Sequence, residues 1–225
     1  MANCYTDMTG VLVVRQITPV IKALFSAFEL NENPIKEGEY YIAQIAESSN
    51  VGWDAILNSL LELADDLGLE INAGDEIIPP DCEEVLDALG THFNAIDQPD
   101  FNHLLQVGKF EDEADLHTLF IIAQALDDGH GLQAFKVQSA WHGDKPRVGM
   151  FGGSGDYRGI HFCAYGDSTE VIDFGENVNT ALQASDVSSA SEHITNKVTD
   201  ILNGITDESV RLQVRKTLIQ NLVSM

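Results

Sequence analysis

Lysine and arginine are scarce in this chain: 12 of them stand against 36 aspartates and glutamates, a formal net charge of −24 over 225 residues. A surface so short of cations cannot neutralise a phosphate backbone, which excludes direct binding of DNA or RNA as the main activity. The same deficit argues against docking on an acidic membrane. Cysteine is scarce too. Cys4, Cys82 and Cys163 are odd in number and far apart. They fit neither a disulfide framework nor a close-spaced zinc pattern, and a reducing interior is their simplest home. Long apolar runs are missing, and no stretch approaches the roughly eighteen residues of a membrane span. Met1–Gly10 holds no basic residue, and Val11–Val14 is too short for the apolar core of a signal peptide. These absences predict a cytoplasmic protein without a leader.

Apolar residues are nevertheless plentiful at 44%, enough for a core and too many for a disordered chain. Charge is unevenly spread. Residues 1–130 carry 25 acidic and 4 basic side chains, a net −21, whereas residues 131–225 carry 11 and 8, a net −3. That shift predicts an acidic, helix-rich α/β unit over 1–130 and a second unit over 131–225.

The second unit opens with strand-like runs separated by turn residues. Gln133–Trp141, Arg147–Phe151, Ile160–Tyr165 and Glu170–Phe174 read as an antiparallel meander. His142-Gly-Asp-Lys-Pro and Gly166-Asp-Ser read as its turns, and Gly152–Asp156 as a flexible connection. Glu176–Leu182 reads as a short helix. Ser189-x-x-Glu192 resembles a capping box opening a helix over Ala190–Leu202, with Ile194, Val198, Ile201 and Leu202 inward. Thr206 or Asp207 caps a last helix reaching about Val223. Its apolar residues occupy more than one face, and Val210, Val214, Leu218 and Leu222 make a candidate homodimer contact, which would suit a dimeric structural or assembly protein.

In the first unit, Val11–Ile17 reads as a strand, and Thr18-Pro19 starts a helix whose core stripe runs through Val20–Phe28. Glu39–Ala46 leans to strand. Asn50 would cap a helix over Gly52–Leu67, with Gly68 as its stop. Leu69–Ile71 and Glu76–Ile78 read as short extended pieces. After Pro79-Pro80, Asp81 and Glu84 form a capping box for a helix with Val85, Leu86, Leu89 and Phe93 inward. Phe101–Val107 reads as a strand and Glu113–Leu126 as a helix. Val20–Phe28 resembles Val85–Phe93, so the unit has the look of an internal duplication. The fold class expected is α+β, a largely antiparallel sheet of four to five strands packed with about six helices.

Chemistry is thinly signposted. Gly149–Gly159 is glycine-rich but lacks the Gly-Lys-Ser/Thr ending of a phosphate loop. His161 and Cys163, with Asp156 or Asp173 to orient the imidazole, offer a thiol nucleophile for a small hydrolase or transferase. His142, His161 and Asp144 can be grouped as metal ligands only on paper, since no ligand-spacing motif anchors them. Asp75, Glu76, Asp81 and Glu84 lack the spacing of a calcium loop. No cofactor motif is present. The acidic residues of the first unit give the sharper reading. Asp54, Glu62, Asp65, Asp66, Glu111, Asp112, Glu113, Asp115, Asp127 and Asp128 fall on or beside two helices, where carboxylates on a solvent face can imitate the charge spacing of DNA. The function expected is non-enzymatic: occupation of the basic surface of a DNA- or RNA-handling protein, as a DNA mimic of the anti-restriction or anti-defence type.

Overall fold

A computed structural model describes residues 3–49, 51–71, 80–145 and 147–224. The expected cap Asn50, the piece Glu76–Ile78 and the carboxylates Asp75 and Glu76 lie outside the described residues. The class is α+β. Among the described residues there are six strands and eight α-helices, more of each than the sequence predicts. The strand order is β2-β3-β1-β4-β5-β6, and the β1–β3, β2–β3, β4–β5 and β5–β6 pairs are antiparallel. The chain divides into two compact units. An inner unit spans Asp7–Gln133, and a terminal unit joins Met1–Thr6 to Ala134–Met225.

The inner unit contains most of β1 (Cys4–Val13), α1 (Pro19–Phe25), β2 (Pro34–Lys36), β3 (Glu39–Gln44), α2 (Trp53–Asp66), α3 (Cys82–His92), α4 (Pro99–Val107) and α5 (Leu116–Ala125). Strand β1 begins and ends earlier than Val11–Ile17, because the Arg15 and Gln16 N–H groups both turn to the His130 carbonyl. Helix α1 starts at the expected Thr18-Pro19, but the Thr18 side chain makes no cap bond. Asp128 does so instead, accepting the Val20 N–H at 3.1 Å from 108 residues away. The α1 stripe is buried as its spacing predicts, with Val20, Ile21, Leu24 and Phe25 closed to solvent. The Asp81–Glu84 capping box is present on α3.

Phe101–Val107 is helical, not extended. Pro99 sits in the first turn of α4, where its fixed φ suits a helix. Phe101 is fully buried. Gly90 of α3 makes room for it, since a Cβ there would come within 2.5 Å of Phe101 Cε1. Close helix packing thus overrides the weak local preference. It also separates the two halves proposed as duplicates: one carries β3 where the other carries α4. His130 is buried after α5. Its Nδ1 accepts the Leu132 N–H at 2.8 Å, so Nε2 carries the proton and donates to the Ala123 carbonyl at 2.9 Å.

The terminal unit holds β4 (Ala134–Gly143), β5 (Phe151–Gly159), β6 (Cys163–Asp167), α6 (Ser168–Gln183), α7 (Val187–Asn203) and α8 (Glu208–Val223). Arg147–Phe151 is not the second strand. The glycine-rich stretch expected to be a loop is the strand, paired with β4 from Ala134↔Gly159 to His142↔Phe151. Two of its four glycines lie under aromatic rings. A Cβ at Gly152 would stand 2.1 Å from Trp141 Cζ2, and one at Gly159 2.8 Å from the Tyr157 hydroxyl. Glycine inside a strand marks such a close approach.

Glu170–Phe174 is not a fourth strand. Asp167 accepts the Thr169 and Glu170 N–H groups, turning the chain directly from β6 into α6. Asp186, not Ser189, caps α7 by accepting the Ser189 N–H at 3.0 Å. Ile194 and Ile201 face solvent rather than a core, and α8 buries no residue at all.

Candidate functional site

The acidic site is built on α2. At about 100° per residue, Asp54, Asn58, Glu62, Asp65 and Asp66 fall within an arc of roughly 120°. Trp53, Ile56, Leu60, Leu63 and Ala64 are buried and fill the opposite side. The helix therefore presents its carboxylates outward because its apolar residues must face in. Asp54 and Asp66 stand about 18 Å apart at 1.5 Å per residue, close to five base-pair steps of DNA. No basic residue lies on α2.

A second acidic segment is fastened to the start of this helix. Gly52 and Glu113 form an antiparallel bridge. The Trp53 N–H donates to the Asp112 carbonyl at 3.0 Å, and the Ala114 N–H to the Val51 carbonyl at 2.9 Å. Trp53 meets Phe110 edge to face at 4.8 Å, which buries the anchor beneath the segment. Asp112 takes a φ of 58°, a left-handed conformation that aspartate tolerates better than most residues. Glu111, Asp112 and Glu113 are thereby held, exposed, beside the first turn of α2 and Asp54.

Three of the predicted carboxylates have internal roles. Asp115 caps α5 through the Thr118 N–H at 2.9 Å. Asp127 accepts the Gly129 N–H at 3.0 Å. Asp128 caps α1 and is half-buried. The inner unit's cations are mostly engaged as well. Lys22 pairs with Glu32 at 2.7 Å, Lys36 with Glu39 at 3.1 Å, and Arg15 donates to the Gly129 carbonyl at 2.6 Å.

One feature gave no sequence signal beyond the i, i+4 spacing of Glu62 and Asp66. These two residues edge a cleft of about 480 Å³ between α1 and α2, lined also by Thr18, Lys22, Ser26 and Ser59. The Thr18 hydroxyl is buried without a hydrogen-bond partner.

The other candidate residues do not all gather in one place. Cys163 opens β6, and its thiol donates to the Gly204 carbonyl at 3.6 Å. His161 lies in the bend before it, outside the strand alternation that would set the two side chains on one face. The His161 carbonyl accepts the Thr206 N–H, and Asp207, held below its usual range chiefly by hydrogen bonds from Val210 and Ser209, also feels the His161 ring. Asp156 lies within β5 and Asp173 is exposed on α6. His142 pairs with Phe151 at one end of β5, while His161 follows Gly159 at the other. Eight strand steps of about 3.3 Å put these histidines over 25 Å apart. His142 packs instead on Tyr5 at 5.4 Å. No group of three or more His, Cys, Asp or Glu with metal-binding geometry occurs among the described residues. No described helix is long and apolar enough to cross a membrane. No protein family, curated protein or solved structure matches the chain.

Proposed function

We propose that the inner unit is a non-enzymatic acidic module that occupies the basic, nucleic-acid-binding surface of another protein. It acts as a DNA mimic of the anti-restriction or anti-defence type. One observation carries this reading. Helix α2 ends in Glu62, Asp65 and Asp66 with no cation in its last turn. The negative end of the helix dipole disfavours anions there, by roughly 0.3–1 kcal/mol each. Folding stability does not explain that choice, and residues that break a local rule without a structural return concentrate at functional surfaces. The Glu111–Glu113 segment lengthens the same acidic surface beyond the other end of α2.

The test is competition. The protein is titrated into fluorescent duplex DNA bound to a restriction endonuclease, a DNA-bending nucleoid protein or a histone tetramer. Displacement from at least one of them is expected, weakening at least about tenfold between roughly 50 and 200 mM salt. A variant carrying Asp54→Lys, Glu62→Lys, Asp65→Lys and Asp66→Lys should lose it. A control reversing Glu37, Glu47, Glu83 and Asp87, equal in net charge change but elsewhere on the unit, should keep it. Cys163→Ser should also keep it. Equal loss in both quadruple variants would reduce the effect to net charge and end the proposal, as would displacement from none of the three.

A further inference from the structure

The terminal unit leaves its helices largely uncovered. Helix α8 buries nothing over 16 residues, and α6 and α7 each bury a single alanine, Ala181 and Ala190. A helix of this length with no buried face is marginal in water, because tertiary packing supplies most helical stability. The exposed apolar residues are also ordered. On α6, Val171, Gly175, Val178 and Leu182 follow the 4-3-4 spacing of a helix-pairing seam. Val171 and Leu182 are 69% and 56% exposed. On α7, Val187, Ile194 and Ile201 recur every seven residues and are 71%, 49% and 56% exposed. On α8, Leu212, Ile219 and Val223 form one stripe, while Val210, Val214, Leu218 and Leu222 form another. Seams of this spacing are covered by helices.

The chain itself supplies a matching helix. Helix α6 carries Glu170, Asp173 and Glu176 and no cation, a net −3, whereas α8 carries Glu208 with Arg211, Arg215 and Lys216, a net +2. Lys197 of α7 meets Glu170, at 3.2 Å. Area points the same way. Across α6–α8 a dozen large apolar residues are exposed. At roughly 80 Å² apiece they amount to an apolar surface on the order of 900 Å². A stable interface needs about 800 Å² from each partner, and monomers rarely leave so much apolar surface open. Electrostatics permits the pairing, since the terminal unit is nearly balanced at −3 while the inner unit holds −21. We infer that the covering partner is a second copy of this chain. The cationic α8 of each copy lies on the acidic α6 of the other, in a reciprocal two-fold contact.

Sedimentation equilibrium and native mass on the full chain, from about 100 µM down to 0.1 µM, test this. A dimer persisting below about 10 µM is expected. The doubly substituted Val171→Asp, Leu182→Asp chain, altered only at exposed positions, should be monomeric with unchanged folding of the inner unit. Asp173→Lys with Glu176→Lys should weaken dimerisation at least tenfold, and adding Arg215→Glu with Lys216→Glu should restore it. That rescue separates reciprocal pairing from a general charge effect. A chain monomeric at 100 µM with its helical circular dichroism intact would overturn the inference. So would a dimer indifferent to both pairs of charge changes. Recruitment of the monomer to phosphatidylcholine–phosphatidylglycerol vesicles would overturn it too, by identifying a lipid surface as the cover.

Discussion

Cys82 shows how much a single side chain reports. It is buried at the start of α3, and burial, with the neighbouring Asp81 carboxylate adding, pushes its thiol up to about 12 from 9.0. The native state therefore keeps this proton after the unfolded chain has released it. Stability is full below pH 9 and falls as pH rises from 9 toward 12, by at most about 1.4 kcal/mol per pH unit. Urea titrations at pH 8, 9.5 and 10.5 should show that decline, and Cys82→Ala should flatten it. In the native protein at pH 8, Cys4, which is exposed, should take up a thiol reagent while Cys82 does not. Equal labelling rates would refute this account of Cys82. Little of this is legible in the sequence. Burial of Cys82 follows from its place on the inward stripe of α3, but the Asp128 cap on α1 joins residues too far apart for any local pattern to pair them. Local signals also misled at His161 and Cys163, where alternation counts only if both residues lie in the strand.

At the scale of elements, periodicity was the sound guide and glycine the misleading one. Helices α1, α2, α3 and α5 arise where apolar residues recur at helical spacing, because burial dictates that spacing. Strand β5 was hidden because its glycines are normally turn residues. Gly152 serves here as the floor under Trp141, a cross-strand neighbour no linear pattern discloses, and Gly159 lies under Tyr157 of the same strand. Helix starts were partly readable. Asp186 and Asp207 cap α7 and α8, and their hydrogen bonds to backbone N–H groups and serine hold both carboxyls below their ordinary range. A carboxyl lowered in the folded state stabilises above the unfolded value near 3.8 and loses that contribution as pH falls through the folded value. Acid should therefore loosen α7 and α8. Amide exchange in the first turn of each helix, followed from pH 5 to pH 2, should quicken relative to that of α4, whose start has no side-chain cap. Asp207→Asn, which can still accept the cap bonds, should remove the dependence in α8. An α8 first turn unaffected by acid in the unaltered protein would count against the cap.

Across the whole molecule, charge dominates. The inner unit holds −21 of the total −24, and seven of its 25 acidic side chains lie on α2 and the segment clamped to it. Self-repulsion of this kind opposes compaction, and salt relieves it over distances of about 10 Å at 0.1 M. The melting temperature should therefore rise by several degrees between 0.01 and 0.2 M NaCl. The quadruple reversal on α2 should blunt that rise more than the control reversal elsewhere on the unit. A melting temperature flat in salt would mean that the carboxylates are already neutralised within the fold. The composition announced this charge at once. It could not announce that α2 would collect the carboxylates on a single arc, because that required the helix, its buried side and the Gly52–Glu113 bridge.

Strand β1 crosses the division of the chain: Cys4–Thr6 belong to the terminal unit and the rest of the strand to the inner one. On the ribosome, the inner unit can close as soon as Gln133 has emerged, while the terminal unit must wait for α6–α8 and then reach back to Cys4–Thr6. Removing Cys4–Thr6 should therefore harm the half after Gln133 more than the acidic segment that follows them in the chain.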